Sequence, residues 1–102
     1  MFKAIKSLFA GGPSADFKAL AAQDATIVDV RSKGEYASGH IKGSIYIPLD
    51  TLQSNLKKIS KAKPVITCCA SGMRSASAKG ILQNNGYEAY NGGGWSSLKS
   101  KL

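Results

Sequence analysis

Cysteine, histidine and acidic residues are scarce in this chain, and each scarcity narrows what it can do. Two cysteines and one histidine, His40, stand among 102 residues. The cysteines are neighbours, Cys68 and Cys69. Bridging neighbours strains the backbone and closes no useful loop, so they make a poor disulfide framework. No second Cys or His cluster accompanies them at the spacing of a zinc site, and no metal is expected. Free thiols fit a reducing compartment, so the expected location is cytoplasmic. Long apolar runs are missing too. The start, Met1-Phe2-Lys3-Ala4-Ile5-Lys6-Ser7-Leu8-Phe9-Ala10-Gly11-Gly12, breaks its apolar residues with lysines and falls short of a signal h-region or a membrane span. Residues 1–12 therefore read as a basic amphipathic segment that packs on the domain or frays, too short to anchor to a membrane surface alone. No internal repeat, low-complexity tract or linker interrupts the rest, and residues 13–102 are expected to form one domain around one core.

Acidic residues number 6 against 14 Lys and Arg, a formal net charge of +8. That balance steers anions of many kinds and selects none of them. The densest basic run, Lys57-Lys58-Ile59-Ser60-Lys61-Ala62-Lys63, lacks aromatic partners for stacking on bases, so it reads as a solvated helix end and basic loop. A nucleic-acid partner is not expected.

What is present centres on Pro64-Val65-Ile66-Thr67-Cys68-Cys69-Ala70-Ser71-Gly72-Met73-Arg74-Ser75. Val65 to Cys68 reads as a buried strand, short, β-branched and bounded by proline and a glycine-containing loop. A helix is expected from Ser75 to a left-handed cap at Gly86. Small residues between them let backbone N–H groups converge, and the new helix brings more, so a thiol there lies in an anion site. Elsewhere, Ser14 is a plausible N-cap for a helix through Phe17 and Leu20. Thr26–Val30 reads as a strand covered on both faces and ends in the polar pair Asp29 and Arg31. Lys33–Ser38 reads as a helical turn, Ser44–Ile47 as a strand stopped by Pro48, and Leu49–Ile59 as an amphipathic helix. Tyr87–Tyr90 is the last strand and Trp95–Leu102 a last helix; the triple glycine before it is either a close backbone approach or a flexible joint. Alternating strands and helices imply an α/β domain with a mostly parallel sheet and helices on both faces, with ligands at the carboxyl ends of strands.

These residues resemble the single-domain form of the rhodanese (thiosulfate sulfurtransferase) family. The resemblance runs through Asp29-Val30-Arg31, Glu35-Tyr36, Gly39-His40-Ile41-Lys42-Gly43-Ser44, Ile47-Pro48, Cys69-Ala70-Ser71-Gly72-Met73-Arg74-Ser75, Gly86-Tyr87 and Gly92-Gly93-Gly94-Trp95. It departs from the family at Ser44, Tyr46 and Cys68. It implies a rhodanese-like fold with a central, mostly parallel five-stranded sheet. It further implies Cys69 as nucleophile, with Ala70, Ser71, Gly72, Met73, Arg74 and Ser75 as its substrate-binding cradle. Sulfur would pass from thiosulfate or a persulfide donor, through a Cys69 persulfide, to a thiol, a protein or cyanide. No cofactor is implied. Inward N–H groups of residues 70–75 would stabilise the negative charge of each step, and Arg74 would supply a cation that lowers the thiol from about 8.5 toward the range of roughly 3.5–7.5. Asp29, Arg31 and Glu35 are expected to support the loop, Arg31 pairing with Glu35, and His40 to be a packed or hydrogen-bonded structural residue.

Two cysteines allow two registers. Counted from Cys69 the loop is C-x4-R; counted from Cys68 it is C-x5-R, the length of cysteine phosphatases that resemble rhodaneses in fold. Gly72, three residues past Cys69, favours the first. Cys68 remains a buried small hydrophobe, a resolving thiol or the nucleophile itself. Against the sulfurtransferase stand a catalytically silent binding or signalling module and a cysteine phosphatase or arsenate reductase.

Overall fold

Four short strands pair into one sheet, and the segments between them supply the cover. The computed structural model describes residues 16–102, so the N-terminal segment 1–12 and Ser14 lie outside the described residues. The elements in order are α1 (Phe17–Ala22), β1 (Thr26–Asp29), α2 (Lys33–Ser38), β2 (Ile45–Tyr46), 3-10 turns at Leu49–Thr51 and Gln53–Lys58, β3 (Val65–Cys69), α3 (Met73–Asn84), β4 (Ala89–Gly94) and α4 (Trp95–Lys99). The strand order is β2-β1-β3-β4, and every pairing is parallel. Among the described residues the sheet has four strands, not five. The β-branched and aromatic runs form β1, β2 and β3, whereas β4 begins at Ala89, two residues later than the expected Tyr87, and runs on through Asn91 and the three glycines to Gly94.

Strand side chains alternate between faces, and here they feed two separate cores. Val28, Val30 and Val65 pack with Leu52, Ile59, Ala78 and Leu82 under α3 and the 3-10 turns. Ile66 and Cys68 pack on the opposite face with Phe17, Leu20, Tyr90 and Leu98, under α1 and α4. Helices thus cover both faces.

Local chemistry explains the helix ends. Asp16 caps α1, its carboxylate accepting from the Ala19 amide at 3.0 Å. Ser32 and Glu35 form a reciprocal capping box that starts α2. The helix α3 closes at Gly86, whose φ of +89° suits glycine. There the Tyr87 amide donates to the Leu82 carbonyl at 3.0 Å and the Gly86 amide to the Gln83 carbonyl at 3.1 Å, a Schellman closure. The amphipathic helix expected over Leu49–Ile59 is instead two 3-10 turns broken at Asn55, whose φ and ψ are −120° and 20°. The Asn55 amide nitrogen donates to the Thr51 carbonyl at 2.8 Å, and this local bond competes with regular helix. Leu52 and Ile59 still reach the core.

The glycine run belongs to β4 and is a close approach rather than a joint. A Cβ on Gly92 would fall 2.7 Å from the Thr67 carbonyl oxygen and 2.8 Å from both Ile66 and Leu98 side chains. One on Gly94 would fall 2.8 Å from the Ala70 carbonyl oxygen. The β3–β4 register slips between Thr67 and Cys69, which face Asn91 and Gly94, so β4 holds one extra residue. Gly93, at φ +79°, sits in that bulge.

At the end of β1 the Arg31 guanidinium chelates Asp29, with Nε 2.9 and 3.0 Å from the two carboxylate oxygens and Nη2 2.7 Å from Oδ2. Nη2 also donates to the Gly39 carbonyl at 2.6 Å, and the guanidinium carbon lies 4.9 Å from the centre of the Trp95 ring. Arg31 is therefore committed to Asp29, not to Glu35, because Asp29, two residues back at the end of β1, offers it both carboxylate oxygens. Both side chains are nearly out of solvent. Asp29→Ala leaves that guanidinium buried and unpaired, and the expected loss of stability is about 3–5 kcal/mol. Urea unfolding measures it, with a smaller loss expected from the paired replacement Asp29→Leu/Arg31→Met.

Candidate functional site

The last residue of β3 is Cys69, and alternation turns its sulfur toward α3 while Cys68 faces the other core. The chain then reverses at Gly72, whose φ of +113° is left-handed, and α3 begins at Met73, two residues earlier than the expected Ser75. That reversal brings helix-start amides back onto the sulfur. The Gly72 N–H lies 3.0 Å from Cys69 Sγ and the Ser75 N–H 3.3 Å. The thiol itself donates to Ser75 Oγ at 3.3 Å.

Ser75 is wholly buried and held on two sides. Its hydroxyl donates to Asn91 Oδ1 at 2.6 Å, and its carbonyl accepts from Thr67 Oγ1 at 2.7 Å. Asn91 Oδ1 also accepts from the Gly93 amide at 2.9 Å, and its amide nitrogen donates to the Gly72 carbonyl at 3.3 Å. Asn91 was not singled out from the sequence. Its one signal there is position: a polar residue between the strand residue Tyr90 and the glycine run.

Burial alone pushes the Cys69 thiol up. The Ser75 hydroxyl and the amides of Ser75, Gly72 and Ser71 together outweigh it, and the thiol titrates below the ordinary cysteine range. Cys68 moves the other way, pushed up to about 12 by burial and next by the Asp29 charge. It is a buried small hydrophobe, and the loop amides of Gly72 and Ser75 bond the Cys69 sulfur and not that of Cys68.

The six loop residues divide by role. Gly72 and Ser75 bond the sulfur, and the Ser71 amide helps to lower it. Ala70 receives the close approach of Gly94. Met73 is 81% exposed. Arg74, expected beside the thiolate, instead forms a bidentate pair with Glu35 at 2.8 and 3.1 Å. That pair holds the Glu35 carboxyl down at about 2, with Ser32 assisting. Glu35 is the nearer counter-ion because the capping box already aims its carboxylate across α2 toward α3. A cleft of about 330 Å³ opens on the other side of Arg74, lined by Val30, Arg31, Ser32, Pro48, Leu49 and Asp50. His40 stays on α2's side of the molecule, with Nδ1 2.8 Å from the Tyr36 carbonyl and its ring stacked on Tyr36 at 3.7 Å.

Comparison with known proteins places this geometry in context. The rhodanese-like domain family matches residues 14–101. The chain is 40% identical over 68 residues to YqhL of Bacillus subtilis, covering 66% of this chain and 54% of that protein. It is 32% identical over 65 residues to a sulfurtransferase of Allochromatium vinosum, covering 64% of this chain and 61% of that one. The chain therefore spans little more than half the length of these relatives. A solved E. coli rhodanese with anions superposes with a TM-score of 0.67 at 32% identity, covering 72% of this chain and 89% of that one.

The opposite shifts of the two thiols give an alkaline signature. Cys68 is neutral in the fold up to about 12, whereas in the unfolded chain it ionises near about 8.5. Its contribution is intact below the unfolded value and is lost as pH rises toward the folded one, at about 1.4 kcal/mol per pH unit. Cys69, depressed in the fold, contributes above the unfolded value and loses that contribution as pH falls through its folded one. Urea titrations above about pH 8.5 are expected to show stability falling in the wild type and a flatter profile in Cys68→Ala.

Proposed function

The chain belongs to the rhodanese-like domain family, and we propose that it is a sulfurtransferase that carries sulfane sulfur as a persulfide on Cys69. The observation that carries this reading is the sulfur of Cys69, depressed in pKa and held by the amides of Gly72 and Ser75 at the carboxyl end of a central strand. Such a thiol is ready to attack without a separate base.

The reaction runs in two displacements. The Cys69 thiolate attacks the outer sulfur of thiosulfate, the sulfur–sulfur bond to sulfite breaks, and sulfite leaves with the electron pair. The persulfide anion remains on Cys69. An acceptor thiolate or cyanide then attacks the terminal sulfur, and Cys69 departs as thiolate. A persulfidated protein could replace thiosulfate as donor, with a thiolate leaving in place of sulfite. The net charge of +8 favours approach of a small anionic sulfur compound, and the cleft beside Arg74 gives the acceptor room next to the loop. Free thiols at both cysteines fit a reducing, cytoplasmic setting. The sulfurtransferase of Allochromatium vinosum supports the reaction class.

Thiosulfate with cyanide as acceptor tests the reading against an aryl phosphate. Thiocyanate formation is expected in the wild type and in Cys68→Ser, and background turnover in Cys69→Ser. Mass spectrometry after thiosulfate is expected to find one added sulfur on Cys69. Phosphate hydrolysis without any persulfide would overturn the proposal.

A further inference from the structure

The Ser75 hydroxyl has one proton and two oxygen or sulfur neighbours that compete for it. One is Cys69 Sγ at 3.3 Å, and the other is Asn91 Oδ1 at 2.6 Å. With Cys69 protonated there is no conflict, since the thiol donates to Ser75 Oγ and Ser75 donates onward to Asn91. Once Cys69 loses its proton, the sulfur becomes an acceptor and can be served by Ser75 only if the hydroxyl leaves Asn91. The asparagine is well placed to resist. Its oxygen is fixed by the Gly93 amide at 2.9 Å in the β4 bulge, and its nitrogen by the Gly72 carbonyl at 3.3 Å. A side-chain carbonyl held on both sides does not rotate away.

We propose that Asn91 is a positioning residue that competes with the Cys69 thiolate for the Ser75 hydroxyl proton, and so sets how far this loop stabilises the thiolate. The proposal rests on the sulfur-transfer reading for its purpose but not for its primary measurement. Its purpose follows from the two displacements. In loading, Cys69 is the nucleophile, and nucleophilicity falls as the thiol becomes more acidic. In unloading, Cys69 is the leaving group, and a more acidic thiol leaves faster. A cradle that stabilised the thiolate without limit would speed the second step and slow the first. Asn91 holds the balance between them.

The charged groups on the elements around the sulfur are paired with one another: Arg74 of α3 with Glu35 of α2, and Asp29 with Arg31 at the end of β1. On the strand side Cys68 stays neutral. Asn91 from β4 adds no charge, so its influence runs through Ser75, and substitutions at Asn91 carry opposite signs. Asn91→Leu fills much the same space, removes the competing acceptor and frees the hydroxyl for the thiolate. Asn91→Asp strengthens the acceptor and adds a negative charge.

The test is an ultraviolet thiolate titration of the full chain, followed by single-turnover loading with thiosulfate and unloading with cyanide. Asn91→Leu is expected to ionise Cys69 at lower pH than the wild type, and Asn91→Asp at higher pH. Where the thiol is fully ionised, loading is expected to change about threefold for every tenfold change in thiol acidity, slower in the leucine variant and faster in the aspartate variant. Unloading is expected to change in the reverse sense. In a Ser75→Ala background, Asn91→Leu is expected to leave the titration where Ser75→Ala alone puts it. Titrations that move the same way in both variants, or a leucine effect that survives without Ser75, would overturn the role of Asn91. If the titrations behave as expected but no sulfur loads, the titration role stands and the sulfur-transfer reading fails.

Discussion

Alternation along β3 is the constraint on which the site depends. A strand can send only every second side chain to one face, and β3 ends on two cysteines. The shift of one residue would place Cys68 over α3 and bury Cys69 among Phe17, Tyr90 and Leu98. Register is held against that slip by Ile66 and Val65, which are large, fully buried and specific to their own faces. Chemistry at Cys69 is therefore set by packing three and four residues before it.

The same sheet then folds the loop around the sulfur through backbone rather than through side chains. Gly92 and Gly94 let β4 press against Thr67 and Ala70 at distances that no Cβ would permit. That closeness brings Asn91 within reach of both Ser75 and Gly72, joining β4 to the start of α3. The two arginines, meanwhile, are occupied at the perimeter. Arg31 locks β1 to the end of α2 and to Trp95, and Arg74 binds α3 to α2 through Glu35. In a chain with net charge +8, the thiol is tuned chiefly by neutral donors.

Much of this was legible in the sequence. Apolar runs marked the first three strands and the first residues of β4, Lys33–Ser38 read as a helical turn and is α2, and Gly86 marked the end of α3. Glycine three places beyond Cys69 also marked the reversal that aims the amides. Other features were hidden because they depend on competition between partners. Arg31 could reach Asp29 or Glu35, and only the folded geometry shows that Asp29 offers two oxygens at once. Leu49–Ile59 has helical periodicity, but Asn55 found a backbone carbonyl at closer range. Asn91 lies just past the expected strand Tyr87–Tyr90, and its importance comes from a one-residue bulge, which leaves no periodic trace. The five-stranded expectation came from family resemblance, not from any fifth apolar run in the described residues.

Neutral donors fixed on Cys69 Sγ have a further consequence for the order of events. On the proposed sulfur-transfer reading, loading would move charge from Sγ to sulfite, and in the persulfide left behind the charge would rest one sulfur–sulfur bond farther out, about 2 Å away. Gly72 and Ser75 are aimed at the inner sulfur, so they favour the states in which the charge is on Cys69 itself. Interactions stronger at the end of a step than at its beginning speed that step. On that reading the cradle would lower the barrier for sulfur to leave Cys69 more than the barrier for sulfur to arrive.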